Sequence, residues 1–182
     1  GVALFDADGD GDLDQLLMNA SAVNYVRYNE ELPAVAFSTP DYFVNENGST
    51  ATITVDLAFA FTEDVTIDWD AAAGTATAGA DFTAASGQLV IPAGSTSATF
   101  TVAVNDDTLD EADESVQLAL SAPNLALLGQ QATGTLYIID DDGEPGVRLG
   151  TPQITVAEPD GSVSIIIELT NVSGQDVTVN YA

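Results

Sequence analysis

The 182-residue sequence has no cysteine, no histidine and no lysine, and its only basic side chains are Arg27 and Arg148. Without cysteine and histidine the chain cannot form a disulfide, a Ser-His-Asp triad, a cysteine nucleophile or a zinc site built on these ligands. The scarcity of basic residues excludes an electrostatic fit to nucleic acid or anionic lipid, since both need a basic face. No apolar run reaches the ~18 residues of a membrane span, and no secretory or lipidation motif is present.

Acidic residues are present in large excess, because 29 aspartates and glutamates give a net charge of −27 at pH 7. Dispersed acids with little lysine are typical of proteins from saline habitats, whereas clustered acids are typical of sites for hard cations. Residues 6–14, 105–114 and 140–144 hold 15 of the 29 acids, where uniform scatter would place about four. The clustering favours ion sites, and the absence of lysine remains compatible with a saline habitat.

Short alternating runs rich in Val, Ile, Thr, Tyr and Phe, separated by Gly, Pro, Asn or Asp, predict an all-β chain. Seven such strands over about 105 residues are typical of a two-sheet sandwich. We therefore predict a seven-stranded antiparallel Greek-key sandwich of the immunoglobulin-like kind, flanked by partial β domains. The predicted strands are 35–44, 49–57, 64–70, 87–91, 97–104, 115–121 and 133–140.

An internal repeat extends this organisation. Residues 147–182 align without a gap on 35–70, with ten of 36 positions identical and Tyr181 in the place of Trp69, and both aromatic side chains are expected to pack on a sheet. The C-terminal segment is interpreted as the first three strands of a second sandwich, too few to enclose a core without partners from outside. The predicted domains are a fragment over 1–30, a sandwich over 31–142, a linker over 143–146 and the partial sandwich over 147–182.

The acids of the central sandwich are predicted to gather at one end of it. In an up-and-down chain the loops after strands one, three and five lie at the same pole as the segment that follows strand seven. The loops at the opposite pole contain a single acidic residue, Glu63. Crowded carboxylates repel one another unless they are neutralised. Ca²⁺, which takes six to eight oxygens in flexible geometry, suits loop-built clusters better than Mg²⁺. The alternative is a solvated acidic rim whose charges avoid one another. The acids at this pole are Glu46, Asp81, Asp106, Asp107, Asp110, Glu111, Asp113, Glu114, Asp140, Asp141 and Asp142.

Four stretches resemble the Calx-beta family: VNENGSTATITVDL, GTATAGADFTAASGQLVIPAGSTSATFTV, NDDTLDEADESVQLAL and TLYIIDDD. The resemblance covers 35–142, begins again at 147, and implies a calcium-binding sandwich of the kind also found in sodium/calcium exchangers. One departure is Ala73, where the family often has an acid. The metal ligands that the resemblance implies are Glu46, Asp81, Asp106, Asp107, Glu111, Glu114, Asp140, Asp141 and Asp142.

The N-terminal stretch FDADGDGDLD has the spacing of a calcium loop, with aspartates at alternating positions and Gly11 at the sharp turn. Leu17 stands where an EF-hand has its last glutamate, so a calcium loop between strands fits better than an EF-hand. This stretch resembles the end of an FG-GAP or VCBS propeller repeat, for which residues 1–30 offer about two of the four strands of a blade. Its candidate ligands are Asp6, Asp8, Asp10, Asp12 and Asp14.

From these features we predict a calcium-stabilised structural module of an extracellular or cell-surface protein of bacterial origin, namely an adhesin, a stalk or a filament subunit. The alternative is a calcium-sensing regulatory domain of a membrane-associated protein. No enzyme activity is expected, because a carboxylate-pair glycosidase needs two acids facing each other in a cleft, and these acids have calcium-ligand spacing. Ca²⁺ is the predicted cofactor. The predicted partners are neighbouring copies or domains in β-strand contact, extending to a homopolymeric filament, without nucleic acid or membrane insertion.

Overall fold

The computed structural model describes residues 2–5, 14–17, 25–27, 31–157 and 161–181. Within these residues the regular structure is β-strand, apart from one 3-10 turn at Glu46–Gly48. The predicted all-β class is therefore confirmed. Over the same part of the chain, no helix has the length and apolar character needed to cross a membrane.

The N-terminal region forms one antiparallel sheet. Its strands, in the spatial order β1-β2-β3, are β1 (Val2–Phe5), β2 (Asp14–Leu17) and β3 (Tyr25–Arg27). Three strands are present where the sequence suggested about two, and the propeller-repeat interpretation stays a prediction. The backbone of Asp14 begins β2, but its side chain and the whole of Asp6, Asp8, Asp10 and Asp12 lie outside the described residues.

The central region is a sandwich of a five-stranded and a four-stranded sheet. Its strands are β4 (Ala34–Phe37), β5 (Asp41–Asn45), β6 (Thr50–Leu57), β7 (Val65–Ala73), β8 (Ala85–Ile91), β9 (Ser97–Ala103), β10 (Glu114–Asn124), β11 (Leu127–Leu128) and β12 (Thr133–Ile139). The five-stranded sheet has the order β5-β12-β10-β7-β8, and the four-stranded sheet has the order β11-β4-β6-β9. The predicted sandwich is confirmed.

Side-chain alternation along the strands builds the core between the two sheets. In β6 the apolar residues Ala51, Ile53, Val55 and Leu57 are buried, while the polar residues between them are exposed or half-buried. This pattern follows from the two-residue period of a strand, which sends successive side chains to opposite faces. Trp69 of β7 stacks on Phe100 of β9 with ring centroids 4.1 Å apart, so the expected sheet packing of Trp69 is observed. The packed core fixes where each strand ends and each loop begins.

The prediction of 35–44 as a single strand is wrong, because the chain changes sheets within it. β4 pairs with β6 in the four-stranded sheet, whereas β5 pairs with β12 in the other. Pro40 lies at the break, and its fixed φ and missing N–H explain why a continuous ladder cannot pass through it. The β5–β12 and β11–β4 pairs are parallel, so the antiparallel pattern has two exceptions. The short strand β11 was not predicted.

The described C-terminal residues, 147–157 and 161–181, form a second unit with one pair of strands. β13 (Val147–Leu149) pairs with β14 (Ile167–Leu169) in the register Val147 opposite Leu169. This register repeats Val35 opposite Leu57 in the central sandwich, as the internal repeat predicts. Val35 and Leu57 are 0% and 6% exposed, but Val147 and Leu169 are 44% and 41% exposed. The positions that form a core in the first copy are therefore uncovered in the second.

Equivalent positions of the two copies should differ in their contribution to stability. Ile53→Ala should lower the free energy of unfolding by about 2–5 kcal/mol, because it removes a fully buried side chain. The matched change Ile165→Ala, at a position 60% exposed, should alter it by at most about 0.5 kcal/mol. Urea unfolding followed by the fluorescence of Trp69 measures both, and equal losses would contradict the assigned core.

Candidate metal centre

Four segments that are distant in sequence meet at one pole of the sandwich, here called the ion pole. Glu46 lies in the 3-10 turn after β5, Asp81 in the loop after β7, residues 104–113 follow β9, and residues 140–142 follow β12. The predicted convergence is observed. Residues of all four segments line one cleft, together with Glu114 at the start of β10 and Ile138 near the end of β12. The lining residues are Glu46, Asp81, Glu111, Ala112, Glu114, Ile138 and Asp140.

Six of the acids at the ion pole form two groups of three. Cluster one is Glu46, Asp140 and Asp142, and cluster two is Asp81, Glu111 and Glu114. Within each cluster, one carboxylate oxygen from every member lies within 4.8 Å of the others. Oxygens on opposite sides of a Ca²⁺ ion are about 5 Å apart, because Ca–O distances are about 2.3–2.6 Å. Each cluster therefore has the dimensions and the hard oxygen donors of a calcium site.

Hydrogen bonds between the converging loops hold cluster one. The buried Glu46 accepts a hydrogen bond from the backbone N–H of Asp107, with 3.2 Å between N and Oε1. Asp140 Oδ1 accepts one from the backbone N–H of Glu111 at 3.2 Å. The N–H of Asp140 in turn donates to Oδ1 of Asp113, also at 3.2 Å. The loop after β9 thus orients Glu46 and Asp140, which belong to two other segments.

Cluster two is held by the turn that carries Asp81. The backbone N–H of Thr77 donates to Asp81 Oδ2 at 2.5 Å. The N–H of Asn105 donates to the carbonyl of Asp81 at 2.9 Å, and its side-chain Nδ2 donates to the carbonyl of Ala80 at 2.6 Å. Asn105 therefore ties the turn of Asp81 to the loop that supplies Glu111.

Among the described residues, no positively charged side chain lies beside these clusters. Lysine is absent from the sequence, Arg148 pairs with Glu168 of the second unit at 3.1 Å, and the side chain of Arg27 is outside the described residues. Burial, with the charges of Asp107, Asp140 and Asp142, raises the pKa of Glu46 to about 7. Without a cation, the ionised form of Glu46 is disfavoured.

The carboxyls of cluster two show the same effect. Burial raises the pKa of Glu114 to about 7, assisted by the hydrogen bond and the charge of Asp81. Burial and the charges of neighbouring aspartates also raise the pKa of Glu111. A divalent cation would relieve this repulsion and restore the charged forms that bind it. The donor set thus fits a hard cation in both clusters.

The remaining predicted ligands lie around the two clusters. The exposed carboxylate of Asp107 accepts a hydrogen bond from the N–H of Leu109 at 2.7 Å, and the exposed Asp106 contributes to the raised pKa of Asp142. Asp141 accepts a hydrogen bond from the side chain of Asn47. The structure therefore brings all nine acids to one pole, and which of them bind an ion stays a prediction.

Two further residues support the site without having been predicted as ligands. The side-chain amide of Asn47 donates a hydrogen bond to Asp141. In the sequence, this supporting role could be suspected only from its position directly after Glu46. Asp113 accepts the backbone N–H of Asp140, and the sequence placed it at this pole without a role. Ala73, the departure from the family pattern, is the exposed last residue of β7.

Comparison with known families agrees with this geometry. The family model described as "Calx-beta domain" matches residues 29–143 and, a second time, residues 140–182. The chain belongs to the Calx-beta family. The resemblance seen in the sequence is thereby confirmed for this family, whereas the FG-GAP or VCBS resemblance of the N-terminal fragment stays a prediction.

The curated relatives include sodium/calcium exchanger 1 from two mammals. The chain is 28% identical over 179 residues to the exchanger of Bos taurus and 27% identical to that of Felis catus. Each match covers 86% of this chain but only 18% of the exchanger. This Calx-beta chain thus corresponds to a minor part of those proteins.

Solved Calx structures share the sandwich. The apo-form Calx CBD1 domain is 29% identical with a TM-score of 0.58, over 62% of this chain and 100% of that chain. The structure described as the calcium binding domain CBD12 of CALX1.1 is 29% identical with a TM-score of 0.57, over 59% of this chain and 44% of that chain. At the level of the family, Ca²⁺ is confirmed as the cofactor predicted from the acids.

The raised pKa values predict how the metal-free protein responds to pH. Glu46 and Glu114 have a folded-state pKa near 7 against an ordinary value of 4.5, so the folded state holds more protons between these values. Stability in EDTA should therefore fall as pH rises from about 4.5 to 7. Thermal melts across that range check this, and the variant Glu46→Gln with Glu114→Gln should show a weaker dependence. A melting temperature that rises with pH in EDTA would contradict the assignment.

Proposed function

We propose that this chain is a calcium-binding regulatory module, in which Ca²⁺ occupies clusters one and two at the ion pole. Each of these clusters brings three carboxylate oxygens within 4.8 Å of one another, and no positively charged side chain of the described residues lies beside them. Ligands drawn from several separate segments suit Ca²⁺, which accepts six to eight oxygens in irregular geometry, better than Mg²⁺, which requires a strict octahedron.

Contacts between the ion pole and the second unit support a regulatory role. Asp110, in the loop between the ligands, is buried, and its Oδ2 accepts a hydrogen bond from Ser173 Oγ at 2.8 Å. The backbone N–H of Gly174 donates to the carbonyl of Asp110 at 2.9 Å. An ion that changes the conformation of this loop would therefore also change the contact with the second unit. Regulation requires such coupling between two sites, here the ion site and the contact with the second unit.

Of the two functions drawn from the sequence, the comparisons favour the regulatory one, because curated relatives of this chain are sodium/calcium exchangers. The activity of a whole exchanger is not transferred to this short chain. The adhesin, stalk or filament role, the extracellular or bacterial location, the β-strand partners and the absence of enzyme activity all stay predictions. The proposed domain limits, 31–142 and 147–182 with a linker over 143–146, also stay predictions.

Calcium should stabilise the sandwich, and individual ligands should differ from a matched control. Excess Ca²⁺ should raise the melting temperature above that in EDTA, since binding contributes about 2.7 kcal/mol at a hundredfold excess over Kd. Asp140→Asn and Glu114→Gln should each weaken calcium affinity about tenfold or more in calorimetric titration, because each removes a charged ligand.

The control is Glu63→Gln, which neutralises an exposed acid in the loop between β6 and β7, at the opposite pole. Its calcium affinity should equal that of the unmodified protein. Equal losses of calcium affinity in all three variants would show that the chain attracts calcium only through its net charge. Identical melting temperatures in EDTA and in Ca²⁺ would contradict the proposed function.

The regulatory part of the proposal is tested by amide hydrogen exchange. Calcium should slow exchange at Gly174, whose N–H donates to Asp110, because an ordered loop holds this acceptor in place. The N–H of Gly94, which donates to Phe61 at the opposite pole, serves as the reference. Slower exchange within the ion pole with no change at Gly174 would leave a calcium-binding module without the regulatory contact.

A further inference from the structure

Segment 74–77, which follows β7, is fastened to the first residues of β10 by mutual hydrogen bonds. The N–H of Thr75 donates to Ser115 Oγ at 3.1 Å, and the N–H of Ser115 donates to Thr75 Oγ1 at 2.8 Å. The two hydroxyl oxygens are themselves 3.1 Å apart. The N–H groups of Gly74 and Ala76 both donate to the carbonyl of Ser115, at 3.1 and 3.0 Å. Thr75 and Ser115 therefore form a reciprocal clamp between two strands.

The close approach in this clamp depends on a glycine. A Cβ added to Gly74 would lie 2.5 Å from the carbonyl oxygen of Ser115 and 2.7 Å from its Oγ. Since a backbone oxygen cannot move aside as a flexible side chain can, a larger residue would force the strands apart. The sequence thus provides the space that the hydrogen bonds require.

The clamp joins two ligands of cluster two through very short stretches of chain. Ser115 directly follows Glu114, which opens β10. At the other end of segment 74–77, the N–H of Thr77 donates to the carboxylate of Asp81, and the N–H of Asp81 donates back to the carbonyl of Thr77 at 3.0 Å. The clamp therefore connects the chain segments that carry Asp81 and Glu114.

Cluster one is built on other supports. Glu46 is carried by the 3-10 turn after β5, and Asp140 and Asp142 follow β12. The hydrogen bonds to Glu46 and Asp140 come from the backbone N–H groups of Asp107 and Glu111 in the loop after β9, and not from Thr75 or Ser115. Releasing the clamp should leave these contacts in place.

We propose that Thr75 and Ser115 are positioning residues for cluster two, which tune the affinity of that cluster for Ca²⁺ independently of cluster one. This inference rests on the proposed function, because it assumes that both clusters bind Ca²⁺. The clamp hydroxyls act through the backbone of Glu114 and Asp81 and are not ligands themselves. Residues that orient metal ligands commonly change affinity by roughly 10–100-fold when they are replaced.

The test places Thr75→Val in two backgrounds, each of which removes one ligand charge from one cluster, so that the other cluster binds Ca²⁺ more tightly and is resolved in the titration. In Glu46→Gln, calcium titration reports cluster two, and Thr75→Val should weaken binding there by roughly tenfold. In Glu114→Gln, titration reports cluster one, and Thr75→Val should leave the affinity unchanged. Thr75→Ser should restore the affinity of cluster two, because it returns the hydroxyl. Ser115→Ala serves as the second variant, and Thr99→Val, an exposed strand threonine of the other sheet, as the matched control.

A second readout separates positioning from general stability. The melting temperature of Thr75→Val in EDTA should be somewhat lower than that of Thr99→Val, because hydrogen bonds of the clamp are lost. Its rise on adding Ca²⁺ should in addition be smaller than that of Thr99→Val. Unchanged affinity of cluster two in both Thr75→Val and Ser115→Ala would overturn the inference and leave the proposed function intact. Equal weakening of the two clusters would overturn it too. An unmodified protein that binds no calcium would instead overturn the proposed function, and the inference with it.

Discussion

Carboxylates crowded at one pole of the sandwich repel one another, and this repulsion governs the chemistry of the protein. Cluster one and cluster two lie side by side in a single cleft, and the pKa values of Glu46 and Glu114 are raised to about 7 because burial and neighbouring charges disfavour ionisation. The folded protein must therefore accept protons or a cation at this pole. Ca²⁺ fits because it replaces mutual repulsion with oxygen coordination in loops of irregular geometry.

The apolar core makes this crowding possible. Strands anchored by fully buried residues such as Ile53, Ile67 and Leu136 end at fixed positions, so the loops that follow them cannot spread apart to separate their charges. Burial of the core stabilises the fold by about 25 cal/mol for each Å² of apolar surface. This stabilisation offsets the repulsion between the carboxylates. Asp110 also accepts a hydrogen bond from Ser173 of the second unit, which makes the neighbouring unit part of the environment of the ion pole.

Much of this arrangement could be predicted from the sequence. Strict alternation in TATITVDL identified β6 and its inward face, and the ends of alternate strands identified the pole where the acids meet. The change of sheet at Pro40 could not be foreseen, because a proline marks a break but does not say which sheet receives the next strand. The division into two clusters also required coordinates, since it depends on side-chain directions within loops. The hydrogen bonds made by Asn47 and by the Thr75–Ser115 clamp could not be predicted either, because no sequence spacing indicates them.

The most direct test of the central claim is a crystal structure of residues 31–182 grown with Ca²⁺, in which the anomalous signal of calcium locates the ions. We expect peaks in both clusters, one between Glu46, Asp140 and Asp142 and one between Asp81, Glu111 and Glu114, with Ca–O distances of about 2.3–2.6 Å. Well-ordered carboxylates at the ion pole without a calcium peak in either cluster would contradict it.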